Sequence, residues 1–264
     1  MGTPTGIGSK RRTEDQLRQL GVTAGDVLVV HTSYRAVGPI EGGPAGLVHA
    51  LIDVLGSSGT LVMPTMSASQ RPEPFDPSKS ETWFMGIVAE TFWRMPGVLR
   101  SSHPTSSFAA LGPHAAAITA PQSLRPIAGL DSPIGRVYQL DGSVLLLGVG
   151  HDRDTMIHVA EALADVPYRT TGTAYVLKDG HPAHVEYEET DSCTRNFQLL
   201  DEWLNERGLQ REGRVGHAQA RLARARDIIA TAVPRLQQHP LTFLCTDVAG
   251  CPTCDGARKA AWPS

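Results

Sequence analysis

The sequence of 264 residues lacks the features that mark membrane, secreted and nucleic-acid-binding proteins. Its formal net charge is only −3, so it has no broad positive field to attract nucleic acid. No apolar run is long enough to span a bilayer, and the first twelve residues lack the hydrophobic core of a secretory signal. We therefore expect a cytoplasmic protein with no membrane or nucleic-acid partner.

Cysteine is also scarce, and three of the four cysteines crowd the C-terminal end of the chain. Cys251 and Cys254 are separated by two residues, a spacing that lets two thiolates reach one tetrahedral metal ion. Together with Cys193 and Cys245 they could form a structural zinc site that ties the tail to the second half of the fold. A CxxC redox pair and four ordinary thiols are the alternatives.

The remaining composition suits a folded protein, with 41% hydrophobic and 19% charged residues. Apolar segments alternate with amphipathic ones through much of the chain, a pattern typical of an α/β protein. Strands are predicted at 26–31, 60–63, 107–111, within 143–150 and at 241–244, with a hairpin at 174–188. Helices are predicted at 13–20 with Thr13 as N-cap, and at 45–55, 84–95, 197–204 and 219–236.

One strand leads directly into a helix with three polar residues on one face. The apolar run 143–150 ends in glycine, and Asp154 or Thr155 can cap the helix that follows. Thr155, His158 and Glu161 are spaced three residues apart, so they lie along one stripe. A hydroxyl, an imidazole and a carboxylate arranged in this way could transfer protons. A capped surface helix with a hydrated polar edge is the structural alternative.

Polar turns follow the first two predicted strands, and a third polar turn leads into the strand at 107–111. Arg35 and several hydroxyls lie in the turn 32–38, and further polar turns begin at Pro64 and at Arg100. Ligands bind at the carboxyl ends of strands in open sheets, and such groups suit phosphate oxygens. The loop 68–80 and the end of the hairpin carry acidic residues that could bind a cationic substrate.

Four segments together carry a family resemblance. They are 25–38, 59–65, 103–112 and 146–150, the last followed by the Thr155, His158 and Glu161 stripe. Their order and spacing resemble the aminoglycoside 3-N-acetyltransferases over nearly the whole chain. The cysteine-bearing tail is similar to the branch that acts on apramycin as well as on gentamicin- and tobramycin-type drugs.

The resemblance implies a single aminoglycoside N-acetyltransferase domain over residues 1–264. The implied fold is α/β (α+β) and differs from the GNAT acetyltransferase fold. It has a central mixed sheet flanked by helices, and a C-terminal portion of β-hairpin and helix. The nearest match to the GNAT pyrophosphate signature, 210–215, fails at its last position. Acetyl-coenzyme A is the implied donor, and the 3-amino group of the deoxystreptamine ring is the implied acceptor.

The resemblance also suggests roles for individual residues. His158 is expected to act as general base in a direct attack, with Thr155 as donor to the oxyanion. Glu161 either orients His158 or holds the substrate amine. The residues expected to bind the donor are Ser33, Arg35, Gly38, Pro64, Thr65, His103 and Thr105. The residues expected to bind the cationic acceptor are Glu73, Asp76, Glu161, Glu189 and Asp191.

Two other functions fit parts of the sequence. An acetyl-CoA-dependent N-acetyltransferase acting on a different amine would use the same chemistry. A zinc-stapled regulatory or nucleic-acid-binding module would account for the cysteine tail and for an arginine-rich helix at 219–236. That second function would leave the Thr155, His158 and Glu161 stripe without a role.

Overall fold

The computed structural model of the chain describes residues 8–69, 71–246 and 250–261. Within them all but one of the predicted strands form, the two strands of the hairpin are longer than predicted, and three further strands were not predicted. The strands are β1 (Val27–Thr32), β2 (Thr60–Pro64), β3 (Leu99–Arg100), β4 (Phe108–Leu111), β5 (Ser143–Leu147), β6 (Arg169–Lys178), β7 (His181–Thr190), β8 (Gln210–Val215) and β9 (Ala218–Arg224).

Helices connect most of these strands, and several begin at a proline, a glycine or a capped residue. The helices are α1 (Lys10–Leu20), α2 (Tyr34–Val37), α3 (Gly43–Leu55), α4 (Gly86–Trp93), α5 (Ala115–Ile118), α6 (Pro133–Gln139), α7 (Met156–Leu163), α8 (Leu199–Asn205), α9 (Ala225–Gln238) and α10 (Pro252–Ala261). Among the described residues no helix has the length and apolarity needed to cross a bilayer.

Seven strands form one mixed sheet in the order β3-β4-β2-β1-β5-β9-β8. The three central strands are parallel, since β1 pairs in the same direction with β2 and with β5. The outer pairs are antiparallel. The chain passes from β1 to β2 on one side and later returns to β5 on the other side of β1. This change of side opens a crevice at the carboxyl ends of β1 and β5.

Side chains of the central strands alternate between two buried cores. Val29 and Val144 face a core shared with α6, α7, α8 and α9. Leu28 and Leu145 face the other core, which is shared with α1, α3 and α4. Because both faces of the sheet are buried, the sequences of these strands are continuous hydrophobic runs and do not alternate between apolar and polar residues.

The long hairpin β6–β7 lies outside the main sheet and is held by two loops. Phe75 donates its backbone N–H to the carbonyl of Tyr175 at 2.8 Å, and Leu177 donates to the carbonyl of Phe75 at 3.2 Å. On the other side, Ile127 donates to the carbonyl of Glu188 at 2.8 Å. Phe75 and Ile127 are buried with the apolar side chains of the hairpin. These contacts fix the hairpin's C-terminal end beside α7.

The first helix begins earlier than predicted. Ser9, not Thr13, is the N-cap, and its hydroxyl accepts from the N–H of Arg12 at 3.3 Å. Thr13 is buried inside the helix, where its hydroxyl donates to the carbonyl of Ser9. The predicted end is confirmed, since Gly21 adopts a φ of 110° and closes the helix. Residues 1–7, in which no signal segment was expected, lie outside the described residues.

The predicted basic helix at 219–236 is wrong in its first part. Residues 218–224 form β9, and the helix begins only at Ala225. Arg221 lies on this strand and pairs with Asp201 at 2.7 Å, while Arg224 contacts Asp141 at 3.5 Å. Because these arginines form ion pairs with acidic neighbours, the main argument for a nucleic-acid-binding helix is removed. The strand predicted at 241–244 is also wrong, because these residues form a turn.

Candidate active site

The polar stripe on α7 contains a tight histidine–carboxylate pair. Nδ1 of His158 lies 2.7 Å from Oε2 of Glu161, one helical turn further on. The ring of His158 also packs edge-on against Phe197, with centroids 5.2 Å apart. Since Nδ1 faces a carboxylate, it carries the proton in the neutral ring, and Nε2 is left with its lone pair. An unprotonated Nε2 is the atom that a general base needs.

The carboxylate of Glu161 is completely buried and has three hydrogen-bond partners. Its Oε1 accepts from the hydroxyl of Tyr168 at 2.8 Å. Its Oε2 accepts from Thr190 at 2.7 Å as well as from His158. Glu161 has 0% of its surface exposed, so a bound substrate cannot reach it. The geometry therefore supports an orienting role for Glu161 and not the alternative role of holding the substrate amine.

Glu161 also controls the charge of the histidine. Burial favours the neutral ring, but the hydrogen bond and the charge of Glu161 outweigh it and raise the pKa of His158 above its ordinary value. Burial, reinforced by Glu161, raises the pKa of Tyr168 too, so the phenol stays a hydrogen-bond donor. The pair is thus a base whose conjugate acid is stabilised by a fixed carboxylate.

Thr155 lies at the first turn of α7, beside the end of β1. Its Oγ1 is 3.3 Å from Nε2 of the buried His31. Thr155 occupies the N-cap position without a side-chain capping bond, and Asp154, the other predicted cap, accepts from the N–H of Met156 at 2.9 Å. The other oxygen of Asp154 contacts Nδ1 of the buried His151 at 2.9 Å. The threonine hydroxyl is therefore held at the crevice between β1 and β5.

Two clefts meet at Thr155. The larger, of about 750 Å³, lies over the ends of β1 and β2 and is named the donor cleft after the predicted donor-binding residues that line it. The smaller, of about 300 Å³, is named the acceptor cleft and lies beside α7 and the end of β7. Thr155 and Met66 line both clefts, whereas His158 lines only the smaller one. The hydroxyl thus stands between two binding spaces, with the base on one side.

Three of the seven residues predicted to bind the donor line the donor cleft. They are Ser33, Arg35 and Pro64. Arg153, which was not predicted, adds a second guanidinium to this cleft. The cleft therefore offers two cationic groups and several backbone and hydroxyl groups, which suits a ligand that carries phosphates.

The other four predicted residues do not line the donor cleft: three are placed by packing or buried hydrogen bonds, and one lines the acceptor cleft. Gly38 has a φ of 82°, and a Cβ there would come within 2.7 Å of the ring of His217, so this glycine serves the fold. Thr65 is fully buried and accepts from Arg100 at 3.2 Å. His103 is 3% exposed and bonds Thr105 at 3.2 Å. Thr105 itself lines the acceptor cleft instead.

Of the acidic residues predicted to bind the acceptor, Glu189 and Asp191 line the acceptor cleft. Partial burial is the main factor that raises the pKa of both carboxyl groups. Asp76 lines neither cleft and accepts from the N–H and the hydroxyl of Ser78 at 2.9 and 2.6 Å. Glu73 is an exposed residue that lines neither cleft. The acidic loop at 68–80 thus supports the hairpin rather than the cleft.

Sequence reasoning missed several residues that contact the stripe. His31 lies inside an apolar strand, where a histidine is usually interpreted as an ordinary core residue. Its position near the carboxyl end of that strand is the one sequence signal that it could belong to a site. Tyr168 and Thr190 are 7 and 29 residues from Glu161, and no local pattern links them. Phe84 lines the donor cleft but was predicted as the first residue of a helix.

The four cysteines converge on one point. Their Sγ atoms all lie within 4.8 Å of one another, although Cys193 follows β7 and the other three belong to the tail. In a tetrahedral site with Zn–S bonds of about 2.3 Å, sulfur atoms are roughly 3.8 Å apart. The spacing and the all-thiol donor set therefore fit a structural zinc ion. None of the four cysteines is in a disulfide.

Comparison with known sequences gives one family. The model of the aminoglycoside 3-N-acetyltransferase family matches residues 29–237. Aminoglycoside N(3)-acetyltransferase IV of a Salmonella species is 52% identical over 230 residues, which are 87% of each chain. Aminoglycoside N(3)-acetyltransferase VII of Streptomyces paromomycinus is 33% identical over 264 residues, covering 87% of this chain and 92% of that one.

Comparison with solved structures gives the same result and confirms the predicted fold. The crystal structure of the aminoglycoside acetyltransferase AAC(3)-IVa superposes with a TM-score of 0.92 at 49% identity, covering 98% of this chain and 100% of that one. A histidine-to-alanine variant of AAC(3)-IVa in complex with a gentamicin superposes with a TM-score of 0.91 at 49% identity, covering 98% of this chain and 99% of that one.

Proposed function

Since this chain belongs to the aminoglycoside 3-N-acetyltransferase family, we propose that acetyl-coenzyme A is its donor and that His158 is its general base. The acceptor is the 3-amino group of the deoxystreptamine ring of drugs such as apramycin, gentamicin and tobramycin. Acetylation in the cytoplasm would then confer resistance. The observation that carries the proposal is the meeting of two clefts at Thr155, with the His158–Glu161 pair on the acceptor side.

His158 performs the proton transfer in this mechanism. The acceptor amine is mostly protonated at neutral pH and must lose its proton before it can attack. That proton passes to solvent water, and Nε2 of His158 then accepts a second proton from the neutral amine as the new C–N bond forms. Glu161 stabilises the imidazolium that results, while Tyr168 and Thr190 hold the carboxylate in place. General-base catalysis of this kind contributes about 10²- to 10⁴-fold.

Thr155 stabilises the charge that develops on the thioester oxygen. Its hydroxyl donates to that oxygen while the C–N bond forms, and the C–S bond then breaks to release coenzyme A. The imidazolium of His158 returns its proton to the leaving thiolate, so no covalent enzyme intermediate is needed. A preorganised donor of this kind contributes about 2.7–4 kcal/mol. Arg35 and Arg153 bind the phosphates of the donor.

Charge in the acceptor cleft selects the substrate. Aminoglycosides carry several positive charges, and Glu189 and Asp191 offer two carboxylates beside His158. A cation in the cleft favours the ionised form of both groups and offsets the effect of their burial. These residues therefore bind the drug's other amines and orient the reacting one.

We also propose that the four cysteines bind one structural zinc ion. Cys193 follows the residues after β7 that line the acceptor cleft, and Cys254 lies in α10. A metal ion shared by the two would therefore tie the tail to the wall of this cleft. A closed shell of four thiolates leaves no position for a substrate, so the ion would act on stability alone. Because β8 and β9 complete the sheet begun by β1, we further propose that the chain forms one domain.

Steady-state turnover tests the proposed activity. The protein is assayed with acetyl-CoA and apramycin, gentamicin, tobramycin or a linear polyamine, and the acetylated nitrogen is identified by NMR. Acetylation at the 3-amino group of the drugs, with far slower reaction of the polyamine, is expected. Preferred turnover of the polyamine would instead identify an N-acetyltransferase for another amine.

The variant His158→Ala tests the assignment of the base. Its kcat/KM for the drug is expected to fall about 10²-fold or more, with little change in the KM for acetyl-CoA. His217→Ala is a matched control, since His217 packs against Gly38 and lines neither cleft. Wild-type turnover by His158→Ala would show that another group removes the proton.

A further inference from the structure

His31 is a buried histidine that the mechanism above leaves without a role. It lies near the carboxyl end of β1, is 5% exposed and lines the donor cleft. Its Nε2 is 3.3 Å from Oγ1 of Thr155, which follows the neighbouring parallel strand β5. The sheet thus brings an imidazole to the very hydroxyl that is proposed to stabilise the oxyanion.

We propose that His31 is a positioning residue whose Nε2–H donates to Oγ1 of Thr155 and directs the threonine's own proton toward the thioester oxygen. A hydroxyl can accept one hydrogen bond while it donates another. If Nε2 were unprotonated, Thr155 would donate its single proton to His31 and have none for the substrate. The inference rests on the proposed function, because His31 acts only through Thr155.

The surroundings of His31 favour a neutral ring with one proton. Burial is the main cause that lowers the pKa of His31 to about 4. Asp154 opposes this effect and His151 adds to it. At neutral pH the ring therefore has either Nε2 or Nδ1 protonated, and the tautomer decides in which direction the bond to Thr155 runs.

The second buried histidine supplies a fixed positive charge next to His31. Nδ1 of His151 contacts Asp154 at 2.9 Å, and its Nε2 contacts Oε1 of Gln210 at 2.8 Å. The amide nitrogen of Gln210 faces a carboxylate oxygen of Asp201 at 3.0 Å, so the amide oxygen must face the imidazole. Both nitrogens of His151 are therefore donors, and its positive charge disfavours a second proton on His31.

A double-mutant cycle tests whether His31 acts through Thr155. We expect His31→Leu to lower kcat about tenfold and Thr155→Val to lower it about 10²-fold, with the KM for both substrates nearly unchanged. The double variant should be no slower than Thr155→Val alone. His31→Gln should retain most of the activity, since its amide N–H can replace the Nε2–H donor.

Each other outcome has a definite meaning. If the losses of the two single variants multiply in the double variant, His31 acts independently and the inference is overturned. Wild-type kcat for His31→Leu overturns it as well. If Thr155→Val has wild-type kcat, the oxyanion assignment itself fails and takes the inference with it, which separates this failure from the previous two.

Nitrogen NMR of the wild-type protein gives a readout that needs no activity. With ¹⁵N-labelled histidine, the ring shifts distinguish a protonated from an unprotonated Nε2, and the spectrum of His31→Gln identifies the signals of His31. A protonated Nε2 and an unprotonated Nδ1 at neutral pH are expected. The opposite tautomer would overturn the inference, even if the leucine variant fails to fold.

Discussion

At the scale of single residues, Glu161 has two effects on His158. It orients the ring through a 2.7 Å hydrogen bond, and it raises the pKa of the imidazole against the opposing effect of burial. A histidine is a base only when it is neutral, so activity should increase as the pH rises through this pKa. The midpoint should lie above the ordinary histidine value of about 6.5.

We predict that Glu161→Gln moves the acidic limb of the kcat/KM profile to lower pH. Without the carboxylate, the imidazolium loses its stabilising partner while burial still favours the neutral ring, so the pKa of His158 falls. The variant should also have a lower kcat, because the imidazolium that forms during attack is no longer stabilised. Steady-state profiles with one drug between about pH 5 and pH 9 measure both effects.

The control for this prediction is Glu206→Gln, an equivalent change at an exposed residue after α8. The substrate amine titrates identically in every variant, so a difference between profiles belongs to the enzyme. A limb for Glu161→Gln at the same or a higher pH than in the wild type would contradict the assigned role of Glu161.

At the scale of elements, the end of β7 forms the charged wall of the acceptor cleft. Glu189 and Asp191 lie there because the two loops that hold the hairpin place its C-terminal end beside α7. The loop at 68–80 supplies one of these supports through Phe75, but its own acidic residues do not reach the cleft. Acidic side chains therefore contribute to the acceptor cleft when they lie at the end of β7 and do not when they lie in the loop at 68–80.

We predict that Glu189→Gln raises the KM for the drug about tenfold and leaves the KM for acetyl-CoA unchanged. A charge-assisted hydrogen bond contributes about 1.5–3 kcal/mol, which corresponds to at least a tenfold change. Glu73→Gln is the matched control, since it removes the same charge from an exposed loop and should have no effect. Equal increases of the KM for the drug in the two variants would indicate a long-range effect of net charge rather than a specific contact between Glu189 and the drug.

The start of α4 and the residues just before it expose three large apolar side chains, and two of them, Phe84 and Ile87, line the donor cleft. Trp83, Phe84 and Ile87 are 58%, 86% and 54% exposed, and Phe84 has a φ of 55°. A bulky residue in this left-handed conformation is strained, and such strain is common at binding sites. These observations favour a contact with the donor.

We predict that Phe84→Ser raises the KM for acetyl-CoA about five- to tenfold without lowering kcat, because an apolar contact with the donor is lost. The control is Leu99→Ser, which removes an apolar side chain, 44% exposed, that lies on β3 and lines neither cleft. Isothermal titration of coenzyme A into both variants measures the binding directly. Equal affinity of both variants for coenzyme A would contradict the contact.

At the scale of the whole molecule, the cysteine cluster connects the tail to the catalytic half. We predict about one zinc ion per chain in protein purified without chelator. Removal of the ion should lower the melting temperature and raise the KM for the drug more than that for acetyl-CoA, because Cys193 follows the wall of the acceptor cleft. Elemental analysis, thermal unfolding and kinetics before and after chelation measure these effects.

Cys254→Ser is the variant that accompanies chelation, since it removes one ligand and leaves the helix α10 otherwise intact. It should reproduce the loss of zinc and of stability. A zinc content well below one ion per chain in the untreated protein would refute the metal site.

The sequence predicted elements well where their signals are local and strong. The central strands were correct to within one or two residues, because buried parallel strands are continuous apolar runs. Only the first part of the helix predicted at 219–236 was wrong, because the residues of β9 also suit a helix and only pairing with β5 and β8 makes them a strand. Thr13 was a plausible cap, but Ser9 allows a longer helix.

The sequence by itself determined the family, the polar stripe on α7 and the four cysteines, since these depend on residue identity and on the order and spacing of short motifs. The tertiary structure alone decided the partners of the stripe. His31, Tyr168 and Thr190 reach α7 from three different strands or loops, and their contacts follow from sheet order rather than from spacing. It likewise decided which carboxylates line the acceptor cleft, because burial and direction are properties of the folded chain.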